Sequence, residues 1–161
     1  MVFTVKKKTF VTLLLITVAT CIVFGQSTSS DTLREALRHL ELGNEHHDRG
    51  DFDLAIAEFT EAARIHPSLL WAYYYRAMVY FSQRNYDNAI ADFTEAIRRN
   101  PIMIVAYINR GAAFYNKGDY DNAITDFEAA LRISPDHAVA RRYLDTAIAR
   151  RAGRMGLQLV N

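Results

Sequence analysis

The chain has 161 residues, of which 50% are apolar and 23% charged, so its composition is that of a folded chain and not of a disordered one. Seven glycines and three prolines are too few for a turn-rich β fold, and a formal net charge of +1 argues against nucleic-acid binding. The single cysteine, Cys21, excludes an intramolecular disulfide.

The N-terminal segment has the composition of an export signal. Three lysines at 6–8 precede an apolar run over 10–24, which small and polar residues follow. This order is typical of a secretory signal peptide, and the run is shorter than the roughly 20 residues of a membrane-spanning helix. We therefore predict a signal peptide over 1–25, cleaved before Gln26, and an exported protein that is periplasmic or secreted.

Two alternatives remain open for this segment. The run Val18-Ala19-Thr20-Cys21 resembles a lipobox, although Thr20 departs from it; Cys21 would then be lipidated and would tether the chain to a membrane. An uncleaved segment would act instead as a signal anchor. If the signal peptide is cleaved before Gln26, the mature chain has no cysteine, which suits an oxidising compartment. Loss of the three lysines also changes its net charge from +1 to −2. Residues 26–35 then hold a short linker and the start of the first helix.

Three prolines mark an internal repeat, since Pro67, Pro101 and Pro135 are 34 residues apart. Aligning the chain on these prolines gives three units, 36–69, 70–103 and 104–137. The last two units are identical at 13 of 34 positions. Each unit has two apolar patterns of helical spacing, separated by a break at which Gly or Asn permits a turn and acids begin the next helix. A proline ends the second pattern, so each unit is predicted to be a helix-turn-helix pair.

This pattern resembles the tetratricopeptide repeat (TPR). The family signature of large, small and large residues, then Ala, Phe, Ala and Pro, falls in the second unit on Tyr73, Ala77, Tyr80, Ala89, Phe93, Ala96 and Pro101. In the third unit it falls on Tyr107, Gly111, Phe114, Ala123, Phe127, Ala130 and Pro135. The first unit departs from it, with His39 and His46 where large aromatic residues are usual. The resemblance implies an all-α fold, an α-solenoid of three units.

One more amphipathic helix over 138–152, ended by Gly153, is predicted to cap the last repeat, and 153–161 is an unassigned tail. Its arginines are interpreted as a solvated face, with contact to anionic lipid or an acidic partner as the alternative. Arg76 and Arg110, at the same position of their units, are expected to pair with acids of neighbouring helices.

The resemblance implies that the first helix of each pair lines a concave side. Helical geometry places unit positions 2, 5, 6, 9, 12 and 13 on that open face. The candidate partner-binding residues among them are Trp71, Tyr74, Tyr75, Met78, Phe81, Val105, Ile108, Asn109 and Tyr115. Because packing gives no reason for so many aromatic side chains there, we predict a groove for an apolar peptide or a helix of an envelope protein. The alternative is that the N-terminal segment or the tail covers the groove.

Other site chemistry is not indicated. The best-known TPR site is a carboxylate clamp of Lys, Asn and Arg, of which only Asn44 is present; the other positions hold Leu40, Tyr75, Val105 and Asn109. No catalytic or phosphate-binding motif occurs, and the adjacent His46 and His47 point about 100° apart on a helix, which disfavours a metal site. We therefore predict no enzyme, metal or cofactor, but an adaptor for a protein or peptide that is monomeric without its partner. A self-assembling structural protein and a carrier of a small hydrophobic ligand are the alternatives.

Overall fold

A computed structural model describes residues 29–158, with side chains as far as residue 154. In that range the chain forms seven α-helices and no strand, which confirms the predicted all-α fold. The helices are α1 over 29–49, α2 Phe52–Ile65, α3 Leu70–Ser82, α4 Tyr86–Arg99, α5 Ile104–Lys117, α6 Tyr120–Ile133 and α7 Ala138–Gln158. Each helix packs on the next along the chain, so α1–α2, α3–α4 and α5–α6 are the three predicted pairs.

None of the described helices is both long and apolar enough to span a membrane. The predicted signal peptide, including Cys21, lies outside the described residues.

A left-handed residue makes the turn inside each pair. Gly50 and Gly118 have φ values of 82° and 81°, and Arg84 holds the equivalent position of the middle pair with φ 59°. The sequence interpretation assigned this role in the middle pair to Asn, which is wrong. Asn85 has φ −84°, and its side chain instead caps α4 by accepting a hydrogen bond from the backbone N–H of Asn88. A glycine takes the left-handed conformation without the steric cost of a Cβ, so the middle turn carries strain that the other two lack.

The core of each pair is a phenylalanine packed against a small residue of the preceding helix. Phe59, Phe93 and Phe127 are fully buried. A Cβ added to Gly111 would lie 2.7 Å from the nearest ring atom of Phe127, so the missing side chain is what lets α5 and α6 approach so closely. The same holds for Gly43 against Phe59, at 2.5 Å. The small residues of the signature are therefore set by helix–helix distance.

Buried ion pairs tie neighbouring helices together, as expected for the repeated arginines. Arg76 on α3 donates to both carboxylate oxygens of Asp92 on α4, each at 2.7 Å, and also to the hydroxyl of Thr60 on α2 at 2.8 Å. One side chain thus joins both helices of its own pair to the second helix of the preceding pair. The set recurs 34 residues later in Arg110, Asp126 and Thr94.

In the first pair a different polar contact joins the two helices. Leu42 stands where the other units have arginine, and Glu58 occupies the position of the buried aspartates. The carboxylate of Glu58 lies 2.5 Å from Nδ1 of His39, which is the histidine that departs from the family signature. That departure therefore supplies a polar partner on α1 for an acid on α2.

The cap helix differs in length from its prediction. It continues past Gly153 to Gln158, so the boundary at 152 is wrong; an exposed glycine inside a helix lowers stability without ending it. Ala140, Leu144 and Ala147 are buried against the last pair. The side of α7 that a further helix would cover is exposed and mixed in character, with Arg141 and Asp145 at the positions that Tyr107 and Gly111 hold on α5 and Ile148 at the position of Phe114.

Candidate functional site, an aromatic groove on α3, α5 and α7

One aromatic stack runs from the surface of α3 into the core. Trp71, whose relative exposure is 41%, stacks on Tyr75 with 5.7 Å between ring centroids. Tyr75 in turn stacks on the buried Phe59 of α2 at 5.8 Å. The indole is thus a solvent-facing side chain whose orientation is fixed by rings beneath it, which is the arrangement of a preformed contact surface.

Tyr74 and Met78 form the adjoining part of the surface and contact α5. The side-chain amide of Asn109 donates to the phenolic oxygen of Tyr74 at 2.9 Å and lies 3.4 Å from the sulfur of Met78. Burial raises the pKa of Tyr74 above its usual value of 10.0, and the hydrogen bond from Asn109 only partly offsets this. Asn109 is therefore a bridge between two helices.

Phe81 and Tyr115 have a packing role that the sequence interpretation did not give them. Phe81 meets Tyr86 edge-on at 5.6 Å, and Tyr115 meets Tyr120 at 5.4 Å, each across the turn inside its pair. The premise that packing gives no reason for Trp71, Tyr74, Tyr75, Met78 and Phe81 on this face is therefore wrong for Phe81. It is wrong also for Tyr74, Tyr75 and Met78, which pack against the core residues Phe93 and Phe59. The other sides of Phe81 and Tyr115 remain open, because both also line a cavity.

The cavity has a volume of about 340 Å³ and lies between the ends of α3 and α5 and the first turns of α7. Most of the side chains that line it are apolar or aromatic. It is lined by Phe81, Ala112, Tyr115, Asn116, Phe127, Arg142, Tyr143 and Thr146. We call the cavity, together with the adjoining side chains of Trp71, Tyr74, Tyr75, Met78 and Asn109, the groove.

The structure divides the nine candidate residues into four groups. Phe81 and Tyr115 line the cavity. Trp71, Tyr74, Tyr75, Met78 and Asn109 form the neighbouring surface, and Val105 is exposed without lining the cavity. Ile108 is only 7% exposed and packs with α6 and α7 in the core, so its assignment to an open binding face is wrong. The physical reason is that the next helix in the stack, α7, covers this position.

The sequence interpretation missed the contribution of α7. The sequence predicts Arg142, Tyr143 and Thr146 only as part of a cap, but they line the cavity. A signal for them was present, because counting a fourth unit from residue 138 puts them at positions 5, 6 and 9. Those are open-face positions in the other units, so the cap helix is also the first helix of an incomplete fourth unit.

A second, larger cavity of about 680 Å³ lies where the turn between α5 and α6 meets α7. Its charges are paired with each other or with nearby groups. Arg151 contacts Asp121 at 3.0 Å, Arg154 donates to the carbonyl of Gly118 at 2.9 Å, and Lys117 pairs with Asp87. These two arginines of α7 hold the cap on the last pair, so this cavity offers few free groups to a ligand.

The histidines at the end of α1 have local roles. The ring of His47 packs against Phe52 with 5.7 Å between centroids, and Nδ1 of His46 lies 3.7 Å from a carboxylate oxygen of Asp51. Among residues 29–154, no three His, Cys, Asp or Glu side chains are grouped so that they could hold a metal ion.

The family model of the tetratricopeptide repeat matches residues 40–101 and 74–138, which together span more than half of the chain. This chain belongs to the tetratricopeptide-repeat family. No curated protein sequence matches it.

Solved TPR domains are similar in fold. The first TPR domain of Spaghetti (RPAP3), bound to the HSP90 peptide SRMEEVD, is 28% identical with a TM-score of 0.71, over 74% of this chain and 95% of that one. The second TPR domain of human RPAP3, in complex with the HSP70 peptide SGPTIEEVD, is 26% identical with a TM-score of 0.69, over 72% and 97%. The first TPR domain of human RPAP3 is 27% identical with a TM-score of 0.72, over 77% and 98%.

The clamp positions of this TPR chain do not form a carboxylate site. Leu40 is buried in the core of the first pair, and Tyr75 is held in the aromatic stack. Val105 carries no donor, and the amide of Asn109 is already engaged with Tyr74. Of the five positions only Asn44 offers an uncommitted polar side chain of the kind that the clamp uses. Any ligand of the groove is therefore held by other contacts.

Proposed function

We propose that this TPR protein is an adaptor that binds a peptide segment or a helix of a partner protein in the groove. The observation that carries the proposal is the mainly apolar cavity between Phe81, Tyr115 and Tyr143, together with the exposed indole of Trp71 at the other end of α3. Trp and Tyr are the residues most enriched at the centres of protein interfaces. The two similar TPR domains described with HSP90 and HSP70 peptides support peptide binding as the use of this fold.

Self-assembly by continued stacking of repeats receives no support from the end of the solenoid. A further repeat would pack on the outer side of α7, where Arg141 and Asp145 are exposed. Burying these charges without partners would cost several kcal/mol, so α7 is a poor surface for head-to-tail stacking. We propose that the chain is monomeric without its partner.

We further propose that the partner is exported with this protein and belongs to the cell envelope or its surroundings. This part rests on residues 1–25 alone, through the order of lysines, apolar run and small residues. Mass spectrometry of the chain isolated from its own cells tests it. A mature chain that begins at Gln26 supports export with cleavage, one that begins with a lipidated Cys21 supports export with a tether, and an intact N-terminus in the cytosol contradicts export.

Filling the cavity tests the binding site. Ala112 lines the cavity and is half-buried, so Ala112→Arg would place a long side chain in the cavity without removing a core group. Ala91 is exposed on α4, outside the groove, and Ala91→Arg is the matched control. Proteins that co-purify with the wild type are compared with those from each variant by quantitative mass spectrometry. We expect the partner to be lost with Ala112→Arg and kept with Ala91→Arg, while both variants keep the melting temperature of the wild type within a few degrees. Equal recovery from both variants contradicts the proposed site.

A further inference from the structure

The cavity has the size of a single anchor and not of a large ligand. Its volume of about 340 Å³ lies near the lower end of the range of about 300–1,000 Å³ that small-molecule sites span. Aromatic rings from three different helices form its walls: Phe81 from α3, Tyr115 from α5 and Tyr143 from α7. These features suit one large apolar side chain that enters from the groove.

A positive charge without an acidic partner stands at the rim of this cavity. Arg142 is exposed, and its guanidinium carbon lies 5.6 Å from the centroid of the Tyr143 ring, which forms part of the cavity wall. No carboxylate lines the cavity, and within residues 29–154 no acidic side chain forms a salt bridge with Arg142. This distinguishes Arg142 from Arg76, Arg110 and Arg151, each of which meets an aspartate. A planar guanidinium beside an aromatic ring, with its donors free, is suited to bind a carboxylate.

The charge of the open face changes sign along the solenoid. On α1, the open-face positions 6 and 13 hold Glu41 and Asp48, both exposed. On α7 the corresponding face holds Arg142 and, two turns later, the exposed Arg150. The apolar residues of α3 lie between these ends. The open face is therefore complementary to a chain whose acidic part lies at α7.

We infer that the groove recognises a segment of the partner in which an Asp or Glu side chain stands next to a large apolar residue. The apolar residue fills the cavity between Phe81, Tyr115 and Tyr143, and the carboxylate accepts hydrogen bonds from Arg142. A single guanidinium suits a single side-chain carboxylate, whereas of the clamp residues that would surround a chain terminus only Asn44 is present. This inference rests on the proposed function and adds the chemistry of the recognised segment.

A peptide selection tests the inference without knowledge of the partner. Random dodecapeptides displayed without a free C-terminus are selected on the wild-type chain, on Arg142→Glu and on Arg132→Glu. Arg132 is exposed on α6, outside the groove, so its variant carries the same charge change and serves as the control. We expect the wild type and Arg132→Glu to select peptides with Phe, Trp or Leu and an Asp or Glu within four residues of it. Arg142→Glu should keep the apolar residue and select Lys or Arg in place of the acid.

A selected peptide, synthesised with both termini blocked, gives the matching affinity measurement. Replacing its Glu with Gln should weaken binding to the wild type about fivefold, as for an ion pair at a partly solvated site, and should leave binding to Arg142→Gln unchanged. Equal weakening on both proteins would overturn the role of Arg142.

The outcomes separate this inference from the proposed function. Wild-type peptides that share the apolar residue but show no preference for acids overturn the inference, while peptide binding in the groove stands. Failure to select any peptide overturns the proposed function itself, because the groove would then be closed. Sedimentation of the chain alone then shows what closes the groove. A dimer indicates a second copy of the chain, and a monomer indicates a segment of the same chain.

Discussion

Arg76 and Asp92 form a bidentate ion pair across the middle helix pair, with both N–O distances at 2.7 Å. The hydrogen bonds to Asp92 raise the pKa of Arg76 above its usual value, so its guanidinium stays charged at all physiological pH values. The copy of this pair, Arg110 with Asp126, lies 34 residues later. The repeat of this chain is therefore a repeat of buried polar contacts as well as of apolar ones.

Breaking the second of these pairs should destabilise the fold. Arg110→Met leaves the carboxylate of Asp126, which is only 3% exposed, without its partner. We expect the free energy of unfolding, measured by urea denaturation, to fall by about 3–5 kcal/mol. The double variant Arg110→Met with Asp126→Leu should recover much of the loss, because no unpaired charge remains.

The exposed pair Arg64–Glu61 is the control for this prediction. Arg64→Met should leave the urea midpoint unchanged, since solvent screens that pair. A loss for Arg110→Met no larger than that for Arg64→Met would show that the buried pair does not stabilise the fold.

A methyl group at Gly111 should be unfavourable despite the better helix propensity of alanine. Its Cβ would lie 2.7 Å from the nearest ring atom of Phe127, which is fully buried. We expect Gly111→Ala to lower the free energy of unfolding by about 1–3 kcal/mol. Gly153→Ala, where no atom lies within 4 Å, should leave stability unchanged or raise it by up to about 1 kcal/mol. The opposite order of the two variants would contradict the close approach of α5 and α6.

Replacing Arg84 with glycine should stabilise the chain. Its φ of 59° costs a residue with a Cβ about 1 kcal/mol, whereas the equivalent Gly50 and Gly118 avoid this cost. We expect Arg84→Gly to raise the free energy of unfolding by up to about 1 kcal/mol, and Gly118→Ala to lower it by about 1 kcal/mol. Thermal denaturation of both variants checks this, and a destabilised Arg84→Gly would contradict the assignment of strain to the middle turn.

Stability should decrease in alkaline solution partly through Tyr74. Burial raises the pKa of its phenol in the folded chain above the usual 10.0, so the unfolded chain loses this proton first as the pH rises. The contribution is complete below pH 10.0 and is lost as the pH rises through the folded pKa. We expect the decrease in unfolding free energy between about pH 8 and pH 11 to be smaller for Tyr74→Phe than for the wild type. The absorbance of tyrosinate in the folded protein should show one fewer phenol that titrates above the usual pKa in Tyr74→Phe than in the wild type. Identical dependence of the unfolding free energy on pH in the two proteins would contradict the burial of Tyr74.

Much of the fold could be predicted from the sequence, because close packing of the helices restricts which residues can stand at the repeated positions. The prolines, the small residues opposite Phe93 and Phe127 and the apolar spacing all follow from two helices that cross closely. The turn at Arg84 could not be predicted in the same way, since an arginine gives no local signal for a left-handed conformation.

The site was predictable only in part, because a single helix does not determine which of its faces a neighbour covers. Ile108 has an open-face position, yet α7 lies over it. Conversely, Arg142 and Tyr143 lie on the cap helix, and they line the site because α7 packs beside α5. Trp71 and Phe81 are exposed or line the cavity, whereas Arg142, Tyr143 and Thr146, which also line the cavity, come from α7, beyond the predicted residues.

The central claim is that the groove contacts a foreign protein, and site-specific photo-crosslinking in the native cell tests it most directly. A benzophenone amino acid at position 116 would look into the cavity, since Asn116 is exposed in its lining, while the same group in place of the exposed Glu128 on α6 reports on a surface outside the groove. We predict one dominant foreign protein crosslinked from position 116 and absent from position 128. Crosslinks from position 116 only to this chain itself, or the same proteins from both positions, would contradict the adaptor role of the groove.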